Sequence, residues 1–336
     1  MGNCLVTKLK GVVDNDNLVK LGEIIIDVHA VDNPTDETQW LNFIGGLGKE
    51  ITVSVIGDGY IIMGNSYASG TNVGKTVTIA GDGSQDQDSA YPPFYYLSNG
   101  NYKVKIVSKY DLDILTIVKA VSLNLDDFKY SPISLIKYRF ENGSQVMGDI
   151  SSMKDWTAPI ICITSDAGGS VDRAITGDIS VFADKNFITE IHLSNTFVTG
   201  NLASLQGLSS LVRLSAWNTN IYGDIASLAG LNNLTVLDLG ILKKKENVIS
   251  GNIASLGTLI NLTGLFVIAG TNVAGSIESL VAAFRENGRT EGTIDTQVYN
   301  NPNVTFNGQP IPTERQTAPL IWTATTITCN GVTINA

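Results

Sequence analysis

Through the second half of the chain, apolar residues recur at every third position and then briefly at every second. One stretch reads Leu205, Leu208, Leu211, Leu214, Ala216, Ile221 and Ile225, and the next reads Leu228, Leu231, Leu234, Leu237, Leu239, Ile249 and Ile253. A half-buried strand alternates every second residue and an amphipathic helix repeats about every 3.6, so neither alone produces this pattern. The surrounding residues repeat too: VMGDISSM (146–153), ITGDISVF (175–182), VTGNLASL (198–205), IYGDIASL (221–228), ISGNIASL (249–256) and VAGSIESL (273–280). The glycines Gly148, Gly177, Gly200, Gly223, Gly251 and Gly275 are spaced by 29, 23, 23, 28 and 24 residues. The 28 contains an insertion, KKKEN at 243–247, in an otherwise 23-residue unit. Six copies at one near-constant period define a repeat architecture.

The unit resembles the leucine-rich repeat, L-x-x-L-x-x-L-x-L-x-x-N-x-L-x-G-x-I, in the variety with G-x-I on the convex side, over about residues 146 to 295. Two columns depart from that family. Thr196, Thr219 and Thr271 stand where Asn is usual, so a Thr hydroxyl must satisfy backbone groups at the turn. Ala203, Ala226, Ala254 and Glu278 stand in the convex segment where Pro often follows. A single unit cannot bury its own leucines, so neighbours stack around one continuous core. Each unit is expected to supply a short strand such as RLSAW (213–217), with alternate residues pointing inward and the others facing out on the concave side. At about 4.8 Å per strand, four to six units make a curved sheet roughly 20 to 30 Å long. DWTAPIICITSDAGG (155–169) reads as an irregular early repeat and NNPNVTFNGQPI (300–311) as the terminal one, with strand-forming APLIWTATTITCNGVTI (318–334) behind it.

Before residue 130 the pattern changes to short β-rich runs: EIIIDVHAV (23–31), EITVSVIGDGYIIM (50–63) and KTVTIAG (75–81). YYLSNGNYKVKIVSK (95–109) reads as a hairpin turning at Asn99–Gly100. The stretch 111–135 reads as a link between the two parts, its structure unassigned. The expected fold is mainly β: an all-β anchoring domain (1–130), a leucine-rich-repeat solenoid with caps (131–317) and a C-terminal β-strand tail (318–336).

Composition agrees with turn-rich β structure. Only 16 % of the 336 residues are charged, below the roughly 25 % of average globular chains, and 33 are glycine. A net charge of −10 argues against a phosphate-gripping surface, and the one compact basic run is Lys243, Lys244 and Lys245, so no nucleic-acid partner is expected. The N-terminus MGNCLVTKLKGVV lacks the apolar stretch of a signal peptide, and Val6 breaks the myristoylation pattern. No run approaches the length of a membrane span.

Enzymatic signals are missing. Cys4, Cys162 and Cys329 are far apart and odd in number, so they define neither a disulfide framework nor a metal site. His29 and His192 are the only histidines and have no paired-ligand spacing. GTNVGKT (70–76) misplaces the first glycine of a phosphate-binding loop, having Ser69 where Gly is needed, and reads as a β-turn. The acidic runs VDNDN (13–17) and GDGSQDQDSA (81–90) lack the ligand spacing of a Ca²⁺ loop and read as solvated turns. No catalytic residue, cofactor or metal site is expected.

The outward positions of the predicted strands give the candidate binding face: Glu190, His192, Arg213, Trp217, Asp238 and Phe266. Aromatic residues on such a face are the usual anchors of an interface. The opening residues MGNCLVTKLKGVVDNDNLVKLGEIIIDV, with their CLVTKLK strand and the N-L-V-K-L-G-E step, resemble the start of virion proteins of phages that infect Bacteroides-type gut bacteria, including the crAss-like phages. That resemblance implies a non-enzymatic virion structural protein, a head or tail fibre or decoration component. Its N-terminal domain would contact other virion proteins or further copies of itself, and its repeats would meet a host-surface glycan or protein. A bacterial cell-surface adhesin with the same repeats is the alternative, and it predicts an export signal. An enzyme on a β scaffold would require a polar pocket around His29 or His192.

Overall fold

The computed structural model describes residues 145–156, 160–162, 175–240, 249–265, 270–296, 301–311 and 319–335, and before them mainly strand segments between Val12 and Arg139. The chain divides into two compact units, Met1–Ala158 with Cys162–Ile175, and Pro159–Ile161 with Thr176–Ala336.

Beside the antiparallel pair Val12–Asp14 and Asn17–Val19, the described strands of the first unit form two larger sheets. One contains, in spatial order, Gln145–Asp149, Val121–Asn124, Gly22–Val28, Tyr102–Ser108, Glu50–Ile56 and Thr76–Ala80. The other orders Ile136–Arg139, Ile114–Val118, Trp40–Ile44, Tyr95–Leu97, Ile61–Met63 and Thr71–Gly74. Val53, Val55 and Val104 are buried while Ser54 and Lys103 are not, the alternation of a sheet with one buried face. Two expectations are corrected. Tyr95–Leu97 and Tyr102–Ser108 are both strands but belong to different sheets, so they do not pair as a hairpin. An Asn-Gly dipeptide turns the chain without fixing which strand each arm joins, and here pairing across each sheet overrides the local signal. Within 70–76, read as a β-turn, Thr71–Gly74 is a strand, while Thr76–Ala80 is the strand expected of KTVTIAG. The unassigned stretch 111–135 supplies one strand to each of the two larger sheets.

In the second unit the described parts of the coils up to Thr258 share one itinerary. One sheet takes one strand from each coil and so runs along the stack, through Glu190–His192, Arg213–Ser215, Val236–Asp238, Gly264–Leu265 and Gly292–Thr296, all parallel. Its register stacks Ile191, Leu214, Leu237 and Leu265 in one column, all fully buried. A second parallel sheet on the opposite wall orders Thr199–Asn201, Asn220–Asp224, Ile249–Asn252, Asn272–Ser276 and Val304–Phe306. After the second strand the chain enters a 3₁₀ turn: Ile179–Phe182, Leu202–Leu205, Ile225–Leu228 and Ile253–Thr258. Side chains three apart eclipse in a 3₁₀ turn. That is why Ile225 and Leu228, like Leu202 and Leu205, both reach the core with no exposed surface.

The turn of each coil is set by the residue after the repeated glycine. Asp178, Asn201, Asp224 and Asn252 cap the 3₁₀ turns, each carboxylate or amide oxygen accepting the backbone N–H two residues on at 2.8–3.0 Å. The glycine of the following unit packs on that cap. Gly223 has φ +120°, and a Cβ there would lie 2.6 Å from Asn201 Oδ1. Glycine is therefore required twice over, by its own backbone and by the neighbour's cap.

The Thr column works as expected. Thr196 and Thr219 donate to the carbonyls of Leu193 (2.7 Å) and Ala216 (2.8 Å) and lie within 3.4 Å of the N–H groups of Val198 and Ile221. An asparagine ladder does exist, one position earlier. Asn195 and Asn218 take left-handed φ of 64° and 57°, and Asn218 Nδ2 donates to Asn195 Oδ1 at 3.1 Å. In the last coil Asn301, fully buried, bonds as the Thr column does, accepting from Asn303 N–H at 3.0 Å, and it donates to Val273 O of the preceding coil at 3.0 Å.

The end of the solenoid differs from the repeats. The helical segment lengthens to a true α-helix, Ile277–Glu286, opened by a capping box between Ser276 and Ser279. Its Phe284 stacks on Trp322 with ring centroids 5.3 Å apart. The Arg289 guanidinium lies over Trp322 at 4.7 Å and over Phe284 at 5.3 Å, and donates to Leu262 O at 2.6 Å and Thr293 O at 3.3 Å. The tail strands Leu320–Trp322, Thr326–Cys329 and Val332–Asn335 extend the sheet of Gly292–Thr296 antiparallel.

Candidate binding face

Alternation along each three-residue strand fixes which side chains leave the core. In Glu190–His192 the middle Ile191 is buried and its neighbours are half-exposed, and the same holds for Leu214 in Arg213–Ser215 and Leu237 in Val236–Asp238. The register then aligns two outward columns. The first is Glu190, Arg213, Val236, Gly264 and Asp295, and the second is His192, Ser215 and Asp238. Parallel strands lie about 4.8 Å apart, so Glu190, His192, Arg213 and Asp238 share a patch roughly 10 Å across.

Within it His192 Nε2 lies 2.8 Å from Glu190 Oε2, a pair held on a single strand. Asp238 is the most constrained member. Its Oδ1 is buried and makes no hydrogen bond. Burial pushes its carboxyl up to about 6, a backbone N–H from Gly240 and the positive charge of Arg213 offsetting only part of that. Trp217, half-buried, follows the central strand, and its backbone N–H donates to Ser194 Oγ at 3.1 Å. Five of the six expected residues thus share one face of the unit. Phe266 lies outside the described residues, as do His29 and Lys243 to Lys245. Asp295 is an exposed addition at the end of the first column. Its strand, Gly292–Thr296, carries no leucine pattern, so only the pairing register reveals it.

Among the described residues no group of three or more His, Cys, Asp or Glu side chains is arranged to hold a metal ion. Cys329 is buried and its thiol is pushed up to about 11 by burial and by Glu278, which leaves it a poor nucleophile near neutral pH. No helix among the described residues is long and apolar enough to cross a membrane.

The one-coil register, the inward leucines and the capped 3₁₀ wall define a leucine-rich-repeat solenoid. No family model matches the chain, and no curated protein does. Among solved structures it is similar to the plant peptide hormone receptor RGFR1 in complex with RGF2, at 18 % identity over 55 % of this chain and TM-score 0.39. The match spans 31 % of that receptor chain. It is also similar to internalin C2 from Listeria monocytogenes, at 19 % identity over 55 % of this chain and 76 % of that one, TM-score 0.32. The ectodomain of the receptor kinase SOBIR1 from Arabidopsis thaliana matches at 19 % identity over 50 % of this chain and 79 % of that one, TM-score 0.28.

Proposed function

We propose that the chain is a non-enzymatic recognition protein of a phage virion. Its N-terminal β unit seats it among other virion proteins, and its concave sheet meets a protein or glycan on the host cell. The observation that carries the recognition role is the patch of Glu190, His192, Arg213, Asp238 and Trp217 on register-locked strands whose inward residues are committed to the core. Side chains presented from rigid strands lose little freedom on binding, and Trp and Arg are the residue types that most often anchor interfaces. The virion setting is supported by the N-terminal resemblance to phage virion proteins.

Two measurements test the halves separately. Trp217→Ala and Phe266→Ala, introduced together, should weaken adsorption of the purified chain to host cells by about tenfold or more, as loss of an interface anchor does. Unchanged adsorption would move recognition to another surface. Mass spectrometry of purified particles should find the chain at a fixed ratio to the other virion proteins. Its absence from particles, with antibody labelling of intact bacteria instead, would favour the cell-surface adhesin.

A further inference from the structure

We infer that the strand Val332–Asn335 pairs with the same strand of a second copy, joining two solenoids end to end through one continuous sheet. This stands whether or not the concave face binds a ligand, and it gives the self-association within the proposed virion role a specific surface.

The inference begins with the hairpin. Asn330 and Gly331 have φ of 50° and 74° and form a two-residue turn closed by Cys329 and Val332, with Ile327 opposite Ile334 two pairs further on. In such a hairpin the closing pair exchanges both backbone hydrogen bonds, and so does every second pair after it. The N–H and C=O groups of Val332 and Ile334 therefore face strand Thr326–Cys329, and those of Thr333 and Asn335 face outward. This strand ends the sheet, and among the described residues nothing meets those outward groups.

The side chains leave the same edge open. Ile327 and Cys329 are buried, while their cross-strand partners Ile334 and Val332 emerge, Val332 to 49 %. Among the described residues nothing covers the apolar face that continues from Ile327 and Cys329 onto Ile334 and Val332. The other sheet ends differently, on Gln309–Pro310, where proline blunts further pairing. Lysines and prolines are the usual guards of a free edge, and Leu320 to Ala336 contains no charged residue and no proline. Two copies, each carrying a net charge of −10, repel over most surfaces, and no side chain of this edge carries a charge to oppose contact.

A second copy fits the edge about a two-fold axis. Thr333 of each copy lies opposite Asn335 of the other, so all the outward backbone groups of both residues are paired. Ile334 then faces Ile334 across the axis as a non-hydrogen-bonded pair, Cα atoms about 4.5 Å apart, on the face that continues Ile327 and Cys329.

The test uses the full chain. Sedimentation equilibrium should give a mass of twice 35.9 kDa at micromolar concentrations. Thr333→Pro removes an outward N–H that the hairpin does not use, and Val332→Lys places a charge at the edge. Each should return the monomer with the far-UV circular dichroism unchanged. Ile334→Cys should link two chains under mild oxidation through the introduced thiol, identified by mass spectrometry. A monomer at every concentration overturns the inference. So does a dimer that both edge substitutions leave intact, or one that Ile334→Cys fails to link.

Discussion

Replacing Gly223 by alanine tests the idea that each coil is locked to the one before it by glycine against a capping side chain. At φ +120° an alanine sits in a region essentially reserved for glycine, at a cost of about 1–3 kcal/mol. Its Cβ would also lie 2.6 Å from Asn201 Oδ1, too close for any rotamer of the cap to survive unchanged. The amide must swing away, and the N–H of Ala203 then loses its acceptor, for about 1 kcal/mol more. Together these destabilise the solenoid by about 2–4 kcal/mol, a large share of the 5–15 kcal/mol typical of a folded domain. Asn201→Ala alone should cost about 1 kcal/mol. Combined with Gly223→Ala it should add almost nothing, because the clash and the lost cap are then one event. The double-mutant cycle should show a coupling of about 1 kcal/mol. Urea denaturation supplies the free energies. Amide exchange at Ala203 supplies the local reading, because coils of a solenoid can open in sequence rather than all at once. If Gly223→Ala costs under about 0.5 kcal/mol, or the two substitutions add to within about 0.5 kcal/mol, the glycine–cap lock is wrong.

Asp238 should make stability depend on pH in the opposite sense to a salt-bridged carboxylate. Its carboxyl is held up at about 6, so the folded chain binds this proton more tightly than the unfolded one. The contribution is complete below the ordinary carboxylate range and is lost as pH rises through about 6. Asp238→Asn should therefore be more stable than the parent above pH 6 and should lose that slope, read as urea midpoints across the pH range; parallel pH profiles for the two proteins would refute it. Arg289→Lys keeps the charge but loses the planar fork that spans Leu262 O and Thr293 O while lying over Trp322 and Phe284. It should cost about 1.5–3 kcal/mol and dim the near-ultraviolet dichroism of Trp322, and an unchanged melting temperature would mean that the terminal cap does not depend on the guanidinium.

What the sequence revealed and what it hid divide along one physical line. Leu205, Leu208 and Leu211 are spaced by three because each coil turns its wall in steps that eclipse, and that demand is local enough to be written in one chain segment. The identities of Gly223 and Asn201 are equally local, yet the reason for them is not. The glycine is set by a side chain one coil away, and only the register that stacks Gly200 on Ile221 and Gly223 on Ile249 brings cap and glycine together. The same holds for the candidate face. Asp238 reads as a lone charge between leucines, but its burial depends on what Arg213 and the neighbouring strands place around it. Asn99–Gly100 shows the converse error, a strong local turn signal attached to arms that join different sheets. Periodicity therefore carries far in a solenoid, because each unit meets only its own likeness. It weakens at the ends of the array, where Ile277–Glu286, Asp295 and the open edge at Val332 face partners that no repeat predicts.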